Sequence, residues 1–184
     1  MMDRAIILAS GPSLVQEDIT MAISSGWPVI AVNSTWQAAP ECDVIYAGDL
    51  EWWDYWHARI DSAAELWTCS AQAASRYCLK LHVATGVYNS GMRAVQFAHQ
   101  QGARRIILLG FDCSTRHGTH WHGDHPAGLR NPGDGSEARW LGHFTGLGNQ
   151  LAGADIINCS RYSMLTLFRR LPLAQALKED AWTL

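Results

Sequence analysis

Apolar residues along this chain fall into short runs rich in Ile, Val and Leu, separated by longer segments of helical spacing, and each run ends on a small or polar residue. That alternation is the pattern of β-α units feeding a parallel sheet. The runs are 5–9, 29–32, 44–47, 66–69, 79–83, 105–109 and 155–158, so about six to seven strands are expected. Between them, 14–25 reads as a first helix and 90–101 as a better one, with Ser90 placed to cap its start and Gly102 to close its end. Met92, Val95, Phe97 and Ala98 approximate one buried face of that second helix. Residues 133–153 hold a further helical segment, and 164–177 a terminal one interrupted by Pro172. The expected architecture is a single α/β domain over 1–184, three-layer α/β/α and Rossmann-like, with a mostly parallel doubly wound sheet. One stretch fits neither period: 114–134 is polar, rich in Gly and Pro, and long. Loops of that length in compact domains usually serve as lids or binding loops, which makes 113–135 a lid following the sixth strand.

Composition narrows the function. The 184 residues are 48% hydrophobic and 17% charged, enough apolar material for a core, which excludes disorder. A formal net charge of -3 provides no general basic field, so a small-molecule partner is expected rather than nucleic acid. The five cysteines are odd in number and contain no C-x-x-C spacing, which fits a reducing compartment better than a disulfide framework or a thiolate zinc site. No secretory signal or run of about 18 apolar residues is visible, so the expectation is a soluble cytoplasmic protein without a membrane partner. Assembly into a homo-oligomer stays open.

Ligands of open α/β sheets bind beyond the carboxyl ends of the strands. The residues just after each expected strand are Ser10, Gly11, Pro12 and Ser13; Asn33 and Ser34; Gly48 and Asp49; Thr85 and Gly86, leading to Asn89, Ser90 and Gly91; Gly110, Phe111 and Asp112; and Asn158, Cys159 and Ser160. Any one such turn needs Gly, Asn, Asp or Ser for backbone reasons alone. Six turns on one rim, with two carboxylates and two asparagines, point to a nucleotide or phosphorylated ligand. Neither G-x-G-x-x-G nor G-x-x-x-x-G-K-[ST] occurs, so no NAD, flavin or P-loop site is expected.

Gly11-Pro12-Ser13-Leu14, Ala31-Val32-Asn33-Ser34, Tyr46-Ala47-Gly48-Asp49, Asn89-Ser90-Gly91 and the Ile106 to Asp112 strand end occur in an order that resembles two related groups. These are the sialyltransferases of glycosyltransferase family 42 and the proteins related to archaeal 6-hydroxymethylpterin diphosphokinase. Residues 156–168, with Asn158, Cys159 and Ser163, are similar to their closing strand and helix. The similarity covers most of the chain and is greatest to a branch carried by bacteriophages and prophages, which would place the protein in the cytoplasm of a bacterial host. The sialyltransferase resemblance implies a cytidine nucleotide held against 11–14, Asn33, Asp49 and 89–91, under a lid that covers the donor sugar. It also shows departures. The family has Asn at Ser10 and Asp49, an arginine where Val87 and Tyr88 stand, and a catalytic histidine where Gly135 and Ser136 stand, so His125 or His143 would have to substitute. Asp49 with Asp112 fits Mg²⁺-assisted diphosphate transfer at least as well.

Four of the eight histidines, at 117, 120, 122 and 125, fall in nine residues. His120-Trp121-His122-Gly123-Asp124-His125 matches the H-x-H-x-D-H pattern of metallo-β-lactamase-fold hydrolases, and alternate residues of an extended segment point the same way. That fold requires an antiparallel meander before the motif and further ligands after it, whereas β-α units precede this one and only His143 follows. A metal such as Zn²⁺ on His120, His122, His125 and Asp124, with Asp112 as an alternative carboxylate, competes with a polar lid in which His125 or His122 is a general base. Trp52, Trp53 and Trp56 share a helical face; core packing is their commoner role, but the segment starts beside the rim, so Trp52 or Trp53 is expected to reach the ligand. Arg104-Arg105 and Arg169-Arg170 read as solvated helix flanks.

These observations support a nucleotide- or sugar-nucleotide-dependent transferase, moving a glycosyl or diphosphate group, with His125, His122, Asp49 and Asp112 as candidate catalytic groups. Two alternatives stand beside it: a phage protein that binds and sequesters such a nucleotide without turnover, and a metal-dependent hydrolase built on the histidine loop.

Overall fold

The computed structural model describes residues 2–179. Eight parallel strands, β1 (Arg4–Leu8), β2 (Val29–Val32), β3 (Val44–Tyr46), β4 (Glu65–Thr68), β5 (Lys80–Leu81), β6 (Arg105–Leu109), β7 (Asp155–Asn158) and β8 (Arg169–Arg170), form one sheet. Their order is β5-β4-β3-β2-β1-β6-β7-β8. The helices are α1 (Gln16–Ser24), α2 (Leu50–Trp56), α3 (Ala71–Tyr77), α4 (Ser90–Gln100), α5 (Ser136–Gly148) and α6 (Leu173–Ala176). The central strands are buried on both faces, which is why they read as continuous apolar runs.

Alternation along the strands divides the core in two. Ile6, Leu8, Ala31, Ile45, Ile107 and Ile157 pack with Ile19 and Ala22 of α1, Trp52 and Trp53 of α2, Ala73 of α3 and Leu173 of α6. Ala5, Ile7, Ile30, Tyr46, Ile106 and Leu108 pack on the other side with Met92, Val95 and Phe97 of α4 and Phe144 and Leu147 of α5. The expected three-layer, doubly wound Rossmann-like arrangement is therefore present, with one strand more than expected.

The differences have local causes. The helix expected over 164–177 is instead β8 followed by the short α6, which starts after Pro172. Arg169 is drawn alongside β7 by Asp155, with Nη2 donating at 2.9 Å. Arg105, expected to be solvated, is 8% exposed and paired to Asp155 at 3.0 Å, whereas Arg169 and Arg170 are exposed. The strand expected over 79–83 shrinks to the exposed edge pair Lys80–Leu81. Asn89 rather than Ser90 caps α4, its side chain accepting from Met92 N–H at 2.9 Å.

Candidate functional site

The order of strands reverses between β1 and β6, where chain connections leave in opposite directions and open a crevice. Their ends are joined closely: Ala9 N–H donates to Leu109 C=O at 2.8 Å and Gly11 N–H to Gly110 C=O at 2.9 Å. Glycine is required at both positions. A Cβ on Gly11 would sit 2.5 Å from Asp112 Oδ1, and Gly110, with φ of 71°, would bring one to 2.5 Å from Ala9 C=O.

Above this junction lies a cavity of about 340 Å³. Its walls include Ser10, Gly11, Asn33, Asp49, Asn89, Ser90, Gly91, Asp112, His120 and His125. Strand ends that are remote in sequence meet here, those after β1, β2, β3 and β6 with the start of α4, whereas Thr85, Gly86, Asn158, Cys159 and Ser160 of the expected rim are not among the wall residues. Pro12, Ser13, Ser34, Trp52, His122, Asp124 and Ser163 are not among the wall residues. Trp52 is 3% exposed, packs edge-on against Trp53 and donates its indole N–H to Ser34 at 3.3 Å; neither tryptophan lines the cavity. Both belong to the core cluster on that face of the sheet. Ser163 accepts from Asn158 Nδ2 at 3.0 Å and donates to Phe111 C=O at 2.6 Å, which fixes the loop after β7 against the end of β6.

The two rim carboxylates differ in what remains available to a ligand. Asp112 is 2% exposed and accepts from Ser13 twice, through the backbone N–H at 2.9 Å and through the hydroxyl. Burial raises its pKa in spite of those bonds. Asp49 stands open at the cavity mouth, touched by Ser90 Oγ at 3.4 Å. Enough protein surrounds its carboxyl for desolvation to raise the pKa, reinforced by Glu51 and opposed by Ser90, Arg130 and Arg93. Asn33 adopts a left-handed φ of 50°, and its Oδ1 is buried without a donor. A left-handed backbone and an unsatisfied acceptor thus fall on the same cavity residue.

Further wall residues lie outside the strand ends. Arg130 comes from the lid, while Ser136, Arg139 and Trp140 come from the first turns of α5. Arg139 could have been found by reading the start of the helix after the lid, where the resemblance places a catalytic histidine. The N-termini of α4 and α5 both open on the cavity, so the positive ends of two helix dipoles join Arg130 and Arg139 there.

The lid between β6 and α5 is tied to the rim by Trp121 N–H donating to Ser10 C=O at 2.8 Å and by a 2.9 Å contact between Ser10 Oγ and His120 Nδ1. His120, His122 and His125 converge, their candidate ligand atoms all within 4.8 Å of one another. His120 Nε2, His122 Nε2 and His125 Nδ1 are buried and lack partners. Each unsatisfied group costs about 1–3 kcal/mol. Burial lowers all three pKa values, His120 to about 4, with His125 and His122 adding to the effect there. Asp124 lies outside this cluster, its carboxylate accepting from Thr119 Oγ1 at 2.6 Å. The antiparallel meander of a metallo-β-lactamase-type hydrolase is not found among the described residues, whose sheet is parallel throughout.

The fold and the crevice at its strand reversal define a Rossmann-like α/β unit. The chain is similar to the structure of the MAf glycosyltransferase from Magnetospirillum magneticum AMB-1, with a TM-score of 0.64 and 16% identity over 95% of this chain. It spans 34% of that protein's length, and at this identity the likeness shows the fold. No family model and no curated protein matches the sequence. Among the described residues, no helix is long and apolar enough to cross a membrane.

Proposed function

We propose that the chain is a nucleotide-sugar-dependent glycosyltransferase unit whose donor occupies the cavity between the ends of β1 and β6. The observation that carries this reading is the convergence of the N-termini of α4 and α5, Arg130 and Arg139 on one cavity. That arrangement suits the phosphates of a sugar nucleotide and stabilises the charge they gain on departure. Asn33 Oδ1 supplies an acceptor for a donor group of the base or ribose.

In the transfer, the bond between the anomeric carbon and the phosphate oxygen breaks, and the electron pair leaves with the phosphate. The acceptor hydroxyl forms the new bond to the anomeric carbon, and its proton passes to Asp49. Asp49 suits that role because it is open to the cavity and its raised pKa makes it a stronger base than an ordinary aspartate. Asp112, with both oxygens engaged by Ser13, serves to hold the turn after β1. The same engagement weakens the alternative of diphosphate transfer with Mg²⁺ shared by Asp49 and Asp112. His125 faces the donor from the lid, whereas His122 does not line the cavity and is not a base for the reaction.

The test is release of free nucleotide from a panel of cytidine, uridine, guanosine and adenosine sugar nucleotides, with water as the fallback acceptor. Release from one donor, lost in Asp49→Asn, is the expected result. Tight binding without release from any donor would instead identify a sequestering protein.

A further inference from the structure

The lid carries a second arrangement that donor binding does not require. Three imidazoles within a six-residue stretch each carry a buried, unpartnered nitrogen, and one ring nitrogen of each lies within 4.8 Å of one on the other two. Among the described residues none hydrogen-bonds these atoms, and buried polar nitrogens left without a partner are uncommon and call for one. Ser10 holds the far side of the His120 ring at 2.9 Å. If Nδ1 carries the proton and donates to Ser10, Nε2 is left with its lone pair on the side of the cluster. A hydrogen bond from the non-ligating ring nitrogen is how metal-bound histidines are oriented.

We propose that His120, His122 and His125 form a binding site for a divalent transition-metal ion of the zinc class, with the remaining coordination position filled by a ligand in the cavity. Three neutral nitrogen donors select such an ion over Mg²⁺, which requires oxygen ligands. A three-histidine set is also one ligand short of tetrahedral closure, as in catalytic rather than structural zinc sites. His120 and His125 both line the donor cavity, so water or a phosphate or sugar oxygen there completes the shell. The identity of that fourth ligand rests on the donor reading; the metal site itself does not. Asp124, expected to be a ligand from its place in the motif, is not in the group whose ligand atoms lie within 4.8 Å of one another, and its carboxylate accepts from Thr119.

The experiment uses the full chain without nucleotide. After chelation and dialysis, the protein is titrated with Co²⁺ and with Zn²⁺ against a competing chromophore, and the zinc-loaded protein is examined by X-ray absorption. Expected are one ion per chain, visible d–d bands of a low-symmetry Co²⁺ complex, and imidazole scattering at about 2.0–2.1 Å from zinc. His122→Ala should abolish the bands, and Ser10→Ala should weaken binding about 10- to 100-fold. Failure of wild-type protein to bind either ion, or binding unchanged in both His122→Ala and His125→Ala, overturns the proposal. So does displacement of zinc by Mg²⁺, which would assign the ion to the rim carboxylates. X-ray absorption on wild-type protein decides the ligand set even where a variant does not fold. Nucleotide binding measured in chelator reports separately on the donor cavity.

Discussion

Ser13 donates both its backbone N–H and its hydroxyl to the carboxylate of Asp112, so the turn after β1 is fastened to the end of β6. The bond pair crosses the point where the strand order reverses, and it shapes the floor of the cavity. Replacing Ser13 by Ala removes one donor from a carboxylate that is 2% exposed. The expected loss is about 1–3 kcal/mol in denaturant unfolding, because a buried charged acceptor is left short of a partner. Asp112→Asn should likewise act on stability; a normal unfolding midpoint with turnover abolished would mean that Asp112 reacts rather than supports.

Gly11 admits no side chain. A Cβ there meets the Gly110 carbonyl and the Asp112 carboxylate, of which the first is backbone and cannot swing aside. Gly11→Ala should cost roughly 1–3 kcal/mol by overpacking and should also distort the cavity floor. Unfolding and nucleotide affinity measured together check this, since both are expected to fall.

Arg139 stands in the first turn of α5 and faces the same cavity as Arg130. Loss of a charge-assisted hydrogen bond costs about 1.5–3 kcal/mol, so Arg139→Ala should weaken nucleotide affinity about 10- to 100-fold. Titration calorimetry at two ionic strengths provides the check. The wild-type protein should show the steeper salt dependence.

The lid histidines make the metal-free protein sensitive to acid. His120 titrates at about 4 in the folded chain against an ordinary 6.5, so the unfolded chain takes up protons first as pH falls. Its contribution is fully present above pH 6.5 and is lost between there and about 4. Asp49 and Asp112, with raised pKa values, act with the opposite sign, and their contribution is lost as pH rises through their folded values. Melting curves of wild type and His120→Asn share the carboxylates and isolate the ring. Wild-type stability should fall more steeply across this window; parallel curves would contradict the assignment.

Much of this architecture is visible in the sequence because strands buried on both faces must be apolar throughout. Val29–Val32 and Arg105–Leu109 announce themselves in that way. β8 does not: it is two exposed arginines at the sheet edge, held by Asp155 rather than by apolar burial. α3 is built largely of Ala and Ser, with Ser70 as its cap, and shows no apolar stripe to read. In the site, residues at strand ends were legible because the parallel topology dictates where they gather. The partition between wall and support was not. Ser13, Ser34 and Ser163 satisfy buried polar atoms, a role that depends on partners up to 99 residues away. Arg130 reaches the cavity through the fold of the lid, for which spacing in the chain holds no signal, and Arg139 through the direction of α5, for which only its place at the start of the helix after the lid is a signal. The histidine cluster was visible as a motif, yet its context changed its meaning from a hydrolase centre to part of a lid.

The central claim is that the cavity between β1 and β6 binds a sugar nucleotide, and its most direct test is thermal melting of the chelator-treated chain with a sugar-nucleotide panel. A donor at about 100 times its Kd adds roughly 2.7 kcal/mol. At roughly 2–4 °C per kcal/mol for a chain of this size, that is a rise of about 5–10 °C. The account predicts such a rise with one nucleotide class, much reduced in Arg139→Ala at the same ligand concentration. No rise with any member of the panel, or an equal rise in the variant, would contradict it.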